Sequence, residues 1–189
     1  FEGETYHTGR WPHEKVSFEG KRVAVIGTGS TGIQAIPVIA KEAEHLTVFQ
    51  RQANFSIPAR NMPMTETYAN SWKNGYAEKR EEMRYMPNGV LREVNEKSAL
   101  EVSEEERRST YETRWEAGTG AFLGAFKDIL TNQAANDTMA EFVRGKIRSI
   151  VKDPVTAEIL CPKTHPIGTK RICIDDGYYQ TFNRENVEL

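Results

Sequence analysis

The sequence predicts an α/β fold: a parallel sheet flanked by helices, with a helical insertion. Three features carry that expectation. A β-branched run, Arg22-Val-Ala-Val-Ile26, enters a glycine-rich turn, passes into a helix-like stretch and reaches a second buried strand, Leu46-Thr-Val-Phe-Gln50. Residues 65–160 then change character to helical patterns rich in Glu, Lys and Arg, whose charges read as a solvated face. A strand-like run returns at Lys170-Arg-Ile-Cys-Ile-Asp175. The expected division is a linker over 1–20, a Rossmann-like domain over 21–62 and 161–189, and a helical insertion over 63–160.

Gly3, Gly9, Pro12 and Gly20 make the first twenty residues turn-rich, so they feed the first strand as a linker. The first helix is expected over 31–44, where Pro37 removes one backbone hydrogen bond and is expected to kink it. Residues 53–63 hold two prolines and little periodicity, and read as loop. Thr65 can cap a helix reaching about residue 86, ended by Pro87-Asn88-Gly89. Ser103-Glu-Glu-Glu106 fits a capping box whose helix should pass Trp115 and stop near Gly118. A further helix is expected over 132–152, with Phe142, Ile147, Ile150 and Val151 as its apolar stripe. Asp153-Pro154 has the form of an N-cap and first-turn proline of a short helix ending before Pro162. The parallel sheet is expected to resume at 170–175, followed by a glycine-tipped turn, Tyr178-Tyr179, Phe182 and the onset of another strand at Asn186-Val187.

The turn Gly27-Thr-Gly29-Ser-Thr-Gly32 has the spacing G-x-G-x-x-G between strand and helix, the context in which it binds a dinucleotide. Gly27 permits the tight turn, Gly29 lets backbone approach a pyrophosphate, and Gly32 lets helix and strand pack closely. Free N–H groups at the helix start face the anion, and the helix dipole adds attraction. Thr28, Ser30, Thr31 and Gln34 lie in or beside this turn and are assigned to the same cofactor site. The alternative is a glycine-rich turn of some other βα unit. Where NAD-binding versions carry an acidic residue for the ribose 2′-OH, this chain has Arg51. A guanidinium can grip a 2′-phosphate in bidentate fashion, so NADPH is favoured over NADH, and Gln52 can add an amide donor. The bland reading of Arg51 is a solvated charge at a strand end.

Composition excludes several classes. With 25 basic against 27 acidic residues and a pI near 6.2, no global field points to nucleic acid or an anionic membrane. Mean hydropathy is -0.62 and apolar stretches are strand-sized, so no membrane span is expected and a cytoplasmic location follows by default. Cys161 and Cys173 read as reduced thiols. His7, His13, His45 and His165 share no metal-ligand spacing, so no metal is assigned. No G-x-S-x-G nucleophile signature occurs. The start at Phe1 without Met and the strand-like end at Asn186-Val-Glu-Leu189 suggest a domain taken from a longer polypeptide.

Phe1-x-Gly3-x-x-x-His7-x-x-x-Trp11-Pro12, just upstream of the glycine turn, resembles the fingerprint of Baeyer–Villiger monooxygenases, flavoenzymes that convert ketones to esters or lactones. Phe49-Gln-Arg51, Lys170-Arg171 and Tyr178-Tyr179 also look like this family, nearest its cyclohexanone and phenylacetone monooxygenase branch. The resemblance implies NADPH bound here and FAD bound through an earlier glycine motif that this chain lacks. Ketone and O2 would be the substrates, the FAD-binding and C-terminal parts of a parent chain the partners, and this stretch alone would not turn over substrate. It further implies that Arg171 holds negative charge during oxygen transfer, a task suited to a permanently protonated guanidinium. Lys170 would help Arg51 hold the 2′-phosphate, and strand alternation would aim Lys170 and Arg171 to opposite faces. Phe1, Gly3, His7 and Trp11 are implied to couple domain movement to the active site, with His7 a linker residue rather than a general base. Gln52 departs from close relatives, where threonine is common. Two rivals stand beside this reading: another class B flavin monooxygenase that oxygenates N or S, against which Trp11-Pro12 argues, and a non-catalytic NADP(H)-sensing module.

Overall fold

A computed structural model of the chain describes residues 1–86, 89–91 and 94–189, and of 119–121 the backbone only. The expected helix stop at Pro87-Asn88 lies outside the described residues. The chain divides into two compact units, Phe1–Ile57 with Ala140–Leu189, and Pro58–Met139.

The first unit is built on a parallel sheet. Strand β1 (Arg22–Ile26) pairs in parallel with β2 (His45–Phe49), from Arg22 opposite His45 to Ile26 opposite Phe49. A third strand, β5 (Val187–Glu188), lies parallel on the far side of β2 and gives the order β1-β2-β5. Helix α1 (Ser30–Glu42) connects β1 to β2 and buries Ile33, Ile36, Pro37 and Ala40, the i, i+3, i+4, i+7 stripe of an amphipathic helix. Pro37 sits on that buried face without ending the helix. Asn186 fastens the sheet's last strand to the end of α1, its amide donating to the carbonyls of Ala40 and Ala43 at 3.1 and 2.8 Å. The mixed α/β class and the parallel pairing match the expectation.

One strand assignment does not. The run 170–175 was expected to continue the parallel sheet, yet only β4 (Cys173–Asp175) is extended, and it pairs with β3 (Ser56–Pro58) in a separate two-stranded sheet. The join begins where Cys173 N donates to Phe55 O at 2.9 Å. The 53–63 loop supplies the partner strand, because Phe55, Ser56 and Ile57 are all buried. Its proline stands at the strand end, where a missing N–H is tolerated. The buried Ser56 hydroxyl donates to the Asp175 carboxylate, and Asp175 also accepts from Tyr178 N at 2.9 Å, at the start of α7 (Tyr178–Thr181). Burial pushes the Asp175 carboxyl above its usual range, and these two donors oppose that shift.

Local chemistry sets the helix ends. In the second unit, Thr65 Oγ1 accepts from Tyr68 N at 3.2 Å and starts α2 (Glu66–Lys73). The single helix expected from there is broken at Asn74-Gly75, after which α3 (Tyr76–Met83) begins, because glycine costs about 1 kcal/mol in a helix interior. Ser103 Oγ accepts from Glu106 N at 3.1 Å and starts α4 (Glu104–Ala117), which ends at Gly118. The other half of the capping box is not made, since the Glu106 carboxylate pairs with Lys97 at 2.6 Å. Tyr111 and Trp115 on α4 close a ring cluster, Tyr111 meeting Phe126 at 5.5 Å and Trp115 meeting Phe122 at 6.1 Å, both edge-on.

Helix α5 (Gln133–Ile150) is opened by Asn132 Oδ1, which accepts from Ala134 N at 2.9 Å. Its buried stripe runs Met139, Val143, Ile147 and on to Val151, so the expected Phe142 and Ile150 lie off it, half-exposed. The Lys146 ammonium stands over the Phe142 ring instead, 5.5 Å from its centroid. Asp153 caps α6 (Pro154–Leu160) by accepting from Thr156 N at 2.7 Å, with Pro154 in the first turn as expected. No helix of the described residues is long and apolar enough to cross a membrane.

Candidate functional site

The glycine turn joins β1 to α1, and each of its three glycines has a distinct geometry. Gly27 has φ +102°, in the left-handed region that favours glycine, while its N–H donates to Phe49 O at 2.9 Å and ties the turn to the end of β2. Gly32 packs against that same residue: a Cβ there would lie far inside contact distance of the Gly27 carbonyl oxygen and 3.2 Å from its carbon. Above Gly29 a Cβ would meet nothing within 4 Å, so the backbone is open to a ligand. Gly29 is also the N-cap of α1 and has no side chain to cap it. The first intrahelical bond runs from Ile33 N to Gly29 O at 2.9 Å, which leaves the N–H groups of Ser30, Thr31 and Gly32 ahead of the ladder. Open space beside an uncapped helix start is the geometry an anionic pyrophosphate requires.

Two side chains of this turn make long-range ties. Thr28 is buried and its hydroxyl donates to the Gln52 carbonyl at 3.2 Å, holding the turn against the chain beyond β2. Gln34 spends its amide N–H on the Ile174 carbonyl at 2.9 Å, which fastens α1 to β4. Sequence reasoning placed both residues at a cofactor and missed these ties, because neither has a local signal.

At the tip of β2, Arg51 is exposed, and no described residue pairs with its guanidinium. Lys170 reaches the neighbouring residue: its Nζ donates to Gln52 Oε1 at 2.9 Å across 118 positions of sequence. Lys170 therefore stands beside the β2 tip; it and Arg171 are both exposed, and no described carboxylate pairs with either. They precede β4 in irregular backbone, so the alternation of a strand does not aim them to opposite faces as expected. The same segment carries His165, edge-on to Phe55 at 5.5 Å with Nδ1 beside the Thr164 hydroxyl at 3.2 Å. Burial, and then the charge of Lys170, push the His165 pKa down, which keeps the ring neutral.

The N-terminal fingerprint residues make their contacts within 1–21. The Phe1 ring lies over Gly3, where a Cβ would come within 2.7 Å of it. His7 Nδ1 accepts from Gly9 N at 3.1 Å and caps the short turn Thr8–Arg10, a structural task that uses the lone pair a general base would need. Trp11 stacks between Tyr6 at 5.6 Å and Phe18 at 6.3 Å, and Glu4 pairs with Lys21 at the entry to β1.

No protein-family model matches the chain. Curated relatives do match it over its whole length. It is 46% identical over 191 residues to the phenazine N-monooxygenase of Lysobacter antibioticus, 46% over 194 residues to the cyclohexanone 1,2-monooxygenase of an Acinetobacter species, and 41% over 191 residues to a Baeyer–Villiger monooxygenase of Pseudooceanicola batsensis. The chain spans 34% to 35% of the length of these three. Among solved structures, an oxidised steroid monooxygenase bound to NADP is 56% identical with a TM-score of 0.95, and OTEMO in complex with FAD and NADP is 42% identical with a TM-score of 0.96. The whole of this chain is covered in both cases, against 36% of each of those chains.

Proposed function

We propose, from the premise that this chain belongs to the Baeyer–Villiger monooxygenase family, that it is the NADPH-binding part of an FAD-dependent monooxygenase. That enzyme would use O2 to convert ketones to esters or lactones. The observation that carries this reading is the Lys170–Gln52 hydrogen bond, which sets a second cation beside the unpaired Arg51 at the β2 tip. A dinucleotide laid over Gly27, Thr28 and Gly29 would put its pyrophosphate at the N–H groups of Ser30, Thr31 and Gly32. Its 2′-phosphate would fall to Arg51 and Lys170, with Gln52 beside them and Gln34 holding α1 against β4.

When bound, the nicotinamide supplies hydride to the flavin, and the flavin supplies the oxygen chemistry. FAD would be held mainly by parts of the parent protein outside these 189 residues, and the ketone pocket would be completed by its C-terminal part. Arg171 offers directed donors to negative charge that develops during oxygen transfer. The placement of Phe1, Gly3, His7 and Trp11 in one N-terminal segment ahead of β1 supports their role in transmitting movement of the NADPH domain. We place the enzyme in the cytoplasm, with neither nucleic acid nor a membrane as partner.

One observation favours a second reading of the acceptor. The phenazine N-monooxygenase and the cyclohexanone 1,2-monooxygenase are equally similar to this chain, so the same NADPH site could feed oxygenation at nitrogen. Product analysis with a ketone panel and an aromatic N-heterocycle separates the two.

The phosphate assignment is tested by calorimetry with NADP+ and NAD+. NADP+ is expected to bind tighter by on the order of a hundredfold, the worth of two charge-assisted hydrogen bonds. Arg51→Ala should remove about tenfold or more of that preference and leave NAD+ unaffected. Equal affinities for the two nucleotides in the unmodified protein would overturn the reading.

A further inference from the structure

We infer that Gln52 is a positioning residue that sets the preference for NADP over NAD by holding Lys170 in place. The inference rests on the reading of Arg51 and Lys170 as the 2′-phosphate site and assigns a device within it. A lysine carries only donors, so the atom of Gln52 that meets Lys170 Nζ at 2.9 Å has to be its amide oxygen. That choice fixes the amide. The amide oxygen then serves the ammonium.

Lys170 needs such a holder. It precedes β4 in irregular backbone, is exposed, and ends a flexible four-carbon stem, so no strand ladder or packing fixes its ammonium. Gln52 itself is anchored: its carbonyl accepts the hydroxyl of the buried Thr28 at 3.2 Å, which ties it to the glycine turn. A second glutamine tie holds the same segment four residues on, where Gln34 donates to the Ile174 carbonyl at 2.9 Å. The segment is thus tied at Lys170 to Gln52 beside the glycine turn and at Ile174 to α1. Binding then orders fewer rotatable bonds at the moment the phosphate arrives, which is where preorganisation gains affinity. Gln52→Glu would still accept from Lys170, but it sets a negative charge where the phosphate comes.

The test is a double-mutant cycle in the whole flavoprotein loaded with FAD, reading dissociation constants for NADP+ and NAD+. Gln52→Leu is expected to weaken NADP+ about tenfold with NAD+ unchanged, the unchanged NAD+ value also showing that the fold is intact. In a Lys170→Met background the same substitution should have little further effect, and Gln52→Glu alone should lower the NADP+ preference more than Gln52→Leu does. A Gln52→Leu loss that is just as large without Lys170 would overturn the positioning role and make Gln52 an independent phosphate contact. No loss from Gln52→Leu would overturn it as well. A Lys170→Met protein that keeps the original NADP+ to NAD+ ratio would instead overturn the phosphate-site reading beneath it, and is read separately from the Gln52 result.

Discussion

Arg171→Ala in the whole flavoprotein is expected to abolish ester formation while NADPH still reduces the flavin at close to its normal rate. The two steps ask different things of the chain. Hydride delivery depends on how the nucleotide is seated, which the glycine turn, Arg51 and Lys170 would govern. Oxygen transfer depends on donors aimed where negative charge appears, and removing one such donor costs on the order of 10²–10³ in rate. Arg171 suits that task because no carboxylate of the described residues pairs with it, so its donors are uncommitted. A guanidinium left in bulk water would be heavily screened, so its effect requires that the assembled enzyme shield it. Anaerobic stopped-flow reduction and chromatographic product analysis read the two steps apart. Normal ester yield from the variant would remove Arg171 from the chemistry, and lost flavin reduction would reassign it to nucleotide seating.

Gly32→Ala is expected to cost about 3 kcal/mol of unfolding free energy, the upper range for forcing a methyl group into a packed contact. The new Cβ would collide with the Gly27 carbonyl oxygen, a backbone atom that cannot swing aside. Gly27 is itself held, its N–H bonded to Phe49 O at 2.9 Å. A loss of that size is a large fraction of a domain's total stability, so nucleotide binding should fail with it. Gly29→Ala is the contrasting control. A Cβ there meets no protein atom within 4 Å, and φ at Gly29 is -82°, so stability should hold while the added methyl obstructs the approach to pyrophosphate. Urea unfolding with an unchanged slope, paired with NADP+ affinity, distinguishes the two variants. A stable Gly32→Ala protein would contradict the close helix–strand approach.

The parts of the fold written in local chemistry were legible in the sequence. Ser103, Asp153-Pro154 and Gly118 mark helix ends because a cap is decided by a few neighbouring atoms, and they stand where expected. The Gly27–Gly32 spacing announced the β1-α1 turn for the same reason. Asn74-Gly75 is an equally local signal, and it breaks the helix expected from Thr65. Pairings between distant segments left no such mark. The buried Phe55-Ser-Ile57 run hides between polar and proline residues, so the β3-β4 pair was invisible, and with it the irregular backbone under Lys170 and Arg171. The stripe of α5 differs from expectation at Phe142 because a half-exposed aromatic ring carrying a lysine looks like core in a sequence. Lys170 beside Arg51 was suggested by family resemblance alone, and the holders, Gln34, Gln52 and Thr28, need coordinates to be seen at all.

The most direct measurement of the central claim is phosphorus NMR of NADP+ as the protein is added, following the 2′-phosphate across pH. A monophosphate ester in water loses its second proton near pH ~6. Held by the Arg51 guanidinium and the Lys170 ammonium, it should stay dianionic to at least about one pH unit lower, because nearby positive charge favours the ionised form. A bound 2′-phosphate whose resonance titrates as it does in free NADP+ would contradict the claim that these cations hold it.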